Sequence, residues 1–191
     1  RMAADTTGMS SLRVALVQPG IPQVEKWTKE AEEDVYDRLE VLTERAAATR
    51  PDLIVWPETA VPYCLRADTG TLAFVTGLVD DGAPILVGSM DVEGPEENPR
   101  CYNSSLLVTR GGTIADQYRK RHLVPFGEYV PLAGRVPWLA RFAPLGFNCS
   151  AGTTSTVFRV AGAEGPASAI PFSALICFED TIASLARDAV R

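Results

Sequence analysis

A thiol, a carboxylate and an ammonium group, the ingredients of catalysis by an activated nucleophile, stand at the ends of three predicted strands of this chain. Cys177 follows Ala174-Leu175-Ile176 and precedes Phe178-Glu179-Asp180, which places its sulfur at a turn from a strand into a helix. A helix N-terminus favours the thiolate, so this turn is predicted to lower the thiol pKa. Glu58 follows Leu53-Ile54-Val55-Trp56-Pro57, where a carboxylate held against apolar walls can serve as a general base. Lys120 lies in the run from Tyr118 to Pro131, Tyr-Arg-Lys-Arg-His-Leu-Val-Pro-Phe-Gly-Glu-Tyr-Val-Pro, which also holds Glu128 and the chain's single histidine, His122. Each residue also has a plainer reading: a buried structural thiol, a solvated loop acid, a surface charge. The ends of several strands in an α/β protein can converge, and it is the combination that points to chemistry.

The elements that must position these groups are legible in the hydrophobic pattern. Residues 1–11 are small and polar and read as a tail or linker, and Leu12 to Val17 is a short apolar strand. Trp27, Ala31, Val35, Leu39, Leu42 and Ala46 recur at helical spacing with charges between them, giving an amphipathic helix. Pro51-Asp52 ends it, and a strand over Leu53 to Trp56, a helix over Thr71 to Val79 and a strand over Ile85 to Met90 complete a β-α-β-α-β alternation. The charged stretch Asp91 to Arg100 reads as a surface loop. Ser104 to Val108 and Ile114 to Tyr118 flank Thr-Arg-Gly-Gly as a hairpin. Alternation past Tyr118 puts Lys120 and His122 on one face and Arg119 and Arg121 on the other. Residues 121–152 form a long connection of the kind that usually serves function. The last strands are predicted at Val157 to Val160 and Ala174 to Cys177, before a helix carrying Ile182, Leu185 and Ala189 that Asp180 or Thr181 would cap.

Composition narrows the classes. The 191 residues, 46% hydrophobic and 22% charged, are enough for one domain with a real core. The net charge of −6 argues against nucleic acid as a main partner, because phosphate binding needs a basic footprint. The four cysteines lack CxxC spacing, and with one histidine they do not compose a zinc site. No run of about 18 apolar residues is present to span a bilayer, and there is no signal-peptide core. The chain starts at Arg1 and stops at Arg191 inside the last predicted helix, so it is expected to be a fragment.

Glu58 in Trp-Pro-Glu-Thr, Lys120 in Tyr-Arg-Lys-Arg-His-Leu-Val-Pro-Phe-Gly-Glu and Cys177 in Ile-Cys-Phe-Glu resemble the Glu-Lys-Cys triad of the nitrilase (carbon-nitrogen hydrolase) superfamily, in order and spacing, from Leu12 onward. Within it, His-Leu-Val-Pro-Phe-Gly-Glu-Tyr-Val-Pro and the upstream Pro-Glu-Thr-Ala-Val-Pro are most similar to the apolipoprotein N-acyltransferases. The resemblance implies an α/β fold, the nitrilase-type α-β-β-α sandwich, over residues 12–191, lacking its C-terminal part. It implies a catalytic domain facing the periplasm at a bacterial inner membrane, with a multi-helix membrane domain preceding Arg1. It implies no cofactor, a phospholipid as acyl donor and a diacylglyceryl-modified apolipoprotein as acceptor. Glu58 would be the base, Lys120 the oxyanion stabiliser with the Phe178 backbone N–H, and Cys177 the nucleophile that carries a thioester. Glu128 would position Lys120 or the incoming amine, Glu179 would support the nucleophile's turn, and His122 would be accessory and not the base of a Cys-His dyad. Phe178 departs from the pattern, since related sequences often carry tyrosine there. Two other readings stand beside this one: a soluble amidase of the same superfamily, and a catalytically silent nitrilase-like module. Arg119, Arg121, Arg135 and Arg141 are candidates for lipid phosphates, and Val136, Trp138, Leu139, Phe142, Leu145 and Phe147 for contact with a bilayer.

Overall fold

The chain builds its central sheet from both kinds of connection that the sequence offers. The computed structural model describes residues 11–21, 29–95, 97, 99–132, 138, 148–162 and 165–189. Strands β1 (Val14–Leu16), β2 (Leu53–Val55) and β3 (Ile85–Glu93) run parallel, joined by the crossover helices α1 (Lys29–Ala47) and α2 (Thr69–Asp80). Strand β3 then turns back into β4 (Arg100–Thr109), and β4 into β5 (Thr113–Arg119), both antiparallel, giving the order β1-β2-β3-β4-β5. A hairpin of β6 (Phe158–Gly162) and β7 (Gly165–Phe172) forms a separate two-stranded sheet. A 3-10 turn, Cys177–Thr181, precedes the last helix, α3 (Ala183–Ala189).

Apolar residues on both faces of the sheet explain its two layers. Val35 and Leu39 of α1 and Val75 and Val79 of α2 pack on Ile54, Ile85, Val87, Leu106 and Val108. Full burial of such a side chain contributes roughly 1.5–3 kcal/mol, so this face is the main source of stability. Trp56 joins the layers, its indole N–H donating to Thr43 Oγ1 at 3.0 Å. Asp68 caps α2 by accepting from the Thr71 N–H at 2.6 Å. On the opposite face Leu53, Leu86, Leu107 and Tyr118 pack against Phe158, Val160 and Ile176. The predicted α1 face holds at Val35, Leu39, Leu42 and Ala46, while Trp27 and the side chain of Ala31 lie outside the described residues.

Three expectations need correction. Residues 91–100 are not all loop: β3 continues to Glu93 and β4 begins at Arg100, because the charges that suggested solvent are paired within the sheet. Asp91 is fully buried and accepts from Arg119 at 2.8 Å, with Arg66 at 3.5 Å. Residues 174–177 are not a strand; β7 lies just before them, hidden in the sequence by Gly165, Pro166 and Pro171, which a two-stranded hairpin tolerates. Neither Asp180 nor Thr181 caps α3, which starts at Ala183; the Thr181 hydroxyl donates instead to the Phe178 carbonyl at 2.7 Å.

Candidate active site

Glu58 is placed by the close approach of two backbones. After β2, the Trp56 N–H donates to the Leu86 carbonyl at 2.9 Å and the Ala60 N–H to the Gly88 carbonyl at 2.7 Å, so the Glu58 turn lies flat on β3. A Cβ on Gly88 would collide with the Pro57 carbonyl oxygen and come within 2.9 Å of Glu58 Cα. Only glycine fits there. The next residue, Thr59, has φ of 44°, in the left-handed region that non-glycine residues seldom occupy.

Lys120 sits one residue past the end of β5, with its N–H on the Asn103 carbonyl and its own carbonyl taking the Gly152 N–H, both at 2.8 Å. Its side chain is 1% exposed. Nζ donates to Glu128 Oε1 at 2.9 Å and to Glu58 Oε1 at 3.3 Å. Burial pulls the ammonium's pKa down, but Glu128 and Glu58 outweigh it, and the group is held above its ordinary value. Glu128 has the mirror-image balance: burial pushes it up, while the Val124 N–H (2.9 Å), Asn103 and Lys120 outweigh that and hold it below the usual carboxylate range. The two acids differ in access, since the Glu58 side chain is 35% exposed and that of Glu128 12%. Substrate can reach the first far more readily.

Cys177 opens the 3-10 turn with φ of 55°, a strained value that leaves it exposed at the corner. Its thiol and the Glu58 side chain line the same pocket. The predicted fall in its pKa does not occur: desolvation and the Glu58 charge raise it above the ordinary thiol, outweighing the Phe178 N–H and Lys120, which favour the thiolate. A single 3-10 turn in place of a long helix offers little dipole, and a carboxylate beside the sulfur opposes ionisation. The apolar walls beside it include Leu53, Val55, Leu86 and Phe172.

Glu179 fixes that corner from beneath. It is fully buried, and its two oxygens accept from Tyr118 Oη (2.9 Å to each), from the N–H groups of Arg121 (2.7 Å) and His122 (3.0 Å), and from the Ile176 N–H (2.9 Å). Burial, then Glu179, raises the Tyr118 pKa. One carboxylate thus ties the Cys177 turn to the end of β5, next to Lys120.

The structure therefore brings Glu58, Lys120, Cys177 and Glu128 together, with Glu179 below and the Phe178 N–H at the sulfur. The His122 ring is exposed, and only its backbone N–H joins the network. Arg119 and Arg121 are not set out for phosphates: Arg119 stacks on Tyr102 and pairs with Asp91 and Glu93, and Arg121 pairs with Asp188 at 3.3 Å. Arg135, Arg141 and the apolar loop residues other than Trp138, which is exposed, lie outside the described residues. The sequence reading missed Asn103. It stands in the run Cys101-Tyr102-Asn103-Ser104-Ser105 of β4 and donates to both Glu58 and Glu128; a buried amide in a strand core was the available signal. Among the described residues no cluster of His, Cys, Asp and Glu suits a metal ion, and no helix is long and apolar enough to cross a membrane.

Solved structures share this fold. The chain superposes on Saccharomyces cerevisiae Nit3, a member of branch 10 of the nitrilase superfamily, with a TM-score of 0.59 at 19% identity, over 93% of this chain and 59% of that one. For an amidase from Nesterenkonia sp. the TM-score is 0.61 at 18% identity, over 94% and 60%. At such identities the likeness shows the fold alone, the α/β fold of the nitrilase superfamily. The family follows from sequence: residues 13–191 match the carbon-nitrogen hydrolase profile, and the chain belongs to that family. It is 37% identical over 175 residues to the apolipoprotein N-acyltransferase of Brucella suis biovar 1 (strain 1330), covering 88% of this chain and 32% of the relative. With the apolipoprotein N-acyltransferase of Geobacter metallireducens it shares 32% over 186 residues, covering 96% and 34%. The chain spans about a third of the length of these relatives.

Proposed function

We propose that this chain is the catalytic part of an apolipoprotein N-acyltransferase and that it moves a fatty acyl group through a thioester on Cys177. The observation that carries the reading is the meeting of Cys177 and Glu58 in the wall of one pocket, with the Lys120 ammonium 3.3 Å from the Glu58 carboxylate. Relatives bearing that name supply the acceptor. Glu58 takes the thiol proton as the sulfur attacks the ester carbonyl of a phospholipid, and a tetrahedral oxyanion forms. Lys120 and the Phe178 N–H stabilise it. The oxyanion collapses, the protonated Glu58 returns a proton to the departing oxygen, and a lysophospholipid leaves an acyl thioester behind. The α-amine of a diacylglyceryl-apolipoprotein then attacks, Glu58 accepts its proton, and the thiol is restored.

The raised thiol pKa fits this sequence of events. The sulfur stays protonated at rest, and the proton leaves only as the bond to carbon forms. Glu128 keeps Lys120 charged and aimed; Glu179 keeps the turn; His122 contributes backbone and no proton transfer. The site is proposed to work at the periplasmic face of an inner membrane, where both lipid substrates are found.

Full-length protein given phospholipid and a diacylglyceryl-lipopeptide should yield an N-acylated lipopeptide, with Glu58→Gln and Lys120→Ala each lowering the rate at least about 100-fold. His122→Ala should retain most of it. Release of free fatty acid with no lipopeptide product, or loss of transfer in His122→Ala with normal rates in the other two variants, would overturn the reading.

A further inference from the structure

From the placement of one amide between two acids, we infer that Asn103 is a positioning residue that separates the roles of Glu58 and Glu128. Asn103 Nδ2 donates to Glu58 Oε1 at 2.6 Å and to Glu128 Oε1 at 2.9 Å. Lys120 Nζ reaches the same two oxygens at 3.3 and 2.9 Å. Two carboxylates therefore share two nitrogen donors in a closed ring, and a single ammonium leaves that ring with a net negative charge. A second cation in place of the amide would neutralise the ring and compete with Lys120 for the two carboxylates. The amide supplies two diverging N–H donors, one for each acid, with no charge and no titration.

The rest of the residue is committed to the same purpose. Its backbone carbonyl takes the Lys120 N–H at 2.8 Å, so it pins the lysine as well as both acids. Asn103 is 4% exposed, and its Oδ1 has no partner among the described residues. Turning the amide over would set that oxygen against two carboxylates, so the network itself fixes the orientation. A buried amide whose acceptor goes unused is held for its donors.

The two acids it touches are otherwise unlike. Glu128 is further bound by the Val124 N–H and is largely enclosed, which locks it as an acceptor. Glu58 is more open and lines the same pocket as Cys177. Asn103 and Lys120 both engage Oε1 of Glu58, which sets the plane of the carboxylate and hence its aim at Cys177. Without the amide, the two acids lose one of the two donors that hold them together against their mutual repulsion. Glu58 would then be able to turn from the sulfur.

This inference rests on Glu58 being the base, and the test separates the two. Asn103→Ala, Asn103→Ser and Asn103→Asp are made in the full-length protein, with Glu58→Gln beside them, and thermal unfolding is recorded for each. Acylation of Cys177 by phospholipid is followed in a single turnover by intact-mass spectrometry from acid to alkaline pH. The expected result is folded Ala and Ser variants whose acylation is slowed about 10- to 100-fold. The acidic limb of their pH–rate profile moves to higher pH, because a donor to the ionised acids is gone. Asn103→Asp, which adds a third carboxylate, should be slower still. Wild-type rate and pH limb in folded Asn103 variants, with Glu58→Gln inactive, would overturn the role of Asn103 and leave the base assignment standing. Normal acylation in Glu58→Gln would overturn both. Failure of all three Asn103 variants to fold would make the residue structural and overturn the inference as well.

Discussion

At the residue scale the site sets a thiol that resists ionisation beside a carboxylate that can take its proton. The causes named for Cys177 make a prediction that runs against intuition. Glu58 raises the thiol pKa and Lys120 lowers it. Glu58→Gln should therefore shift the pH midpoint of iodoacetamide labelling at the Cys177 peptide downward while abolishing acylation, and Lys120→Met should shift it upward. An upward shift in Glu58→Gln would show that the carboxylate does not face the sulfur. The Lys120 substitution should also raise the acylation barrier by about 2.7–4 kcal/mol, the usual loss when an oxyanion donor is removed. Glu58, Lys120 and Cys177 were legible in the sequence because each ends a segment with a strand signal. Asn103 was not, since Ser104 and Ser105, which follow it in β4, are polar too. The direction of the Cys177 shift was also hidden, because it depends on desolvation in the folded chain and on a carboxylate more than a hundred positions away in sequence.

At the scale of elements, function is carried by corners held under strain. Thr59, Phe126 and Cys177, each at or beside a site residue, all have positive φ. Gly88→Ala should push the Pro57–Glu58 turn off β3. A loss of about 1–3 kcal/mol in denaturant unfolding and a fall of about 100-fold in acylation are the expected outcomes. Tyr118→Phe removes a donor to fully buried Glu179 and should cost about 1–3 kcal/mol by the same measurement. Its acylation loss should exceed what unfolding explains, because Glu179 spans both the nucleophile's turn and the end of β5. The β-α-β-α-β half of the fold could be read from spacing because β1, β2 and the first three residues of β3 are apolar runs. β7 could not, with Gly165, Pro166 and Pro171 in its length, and the outer parts of β3 and β4 were masked by charges that pair with Arg119 and Arg66.

At the scale of the whole molecule, the buried Lys120–Glu128 pair links stability to pH from both sides. Glu128 has a folded pKa below its unfolded value of about 4.3, so its contribution is complete above that value and is lost as pH falls through the folded one. Lys120 has a folded pKa above its unfolded value of about 10.4, so its contribution is present below that and is lost as pH rises further. Thermal unfolding of Glu128→Gln should thus show less loss on acidification than the wild type, beyond a general fall in stability. An unchanged acid slope would remove Glu128 from that role. The central claim is that Cys177 carries the acyl group. The most direct measurement is intact-mass and peptide mass spectrometry of full-length protein incubated with phospholipid bearing an isotope-labelled acyl chain. The account predicts one labelled acyl group on the Cys177 peptide, released by hydroxylamine as a thioester is, discharged by a lipopeptide amine, and missing in Cys177→Ala. An adduct that persists in Cys177→Ala, or none with phospholipid and one with small amides, would contradict it.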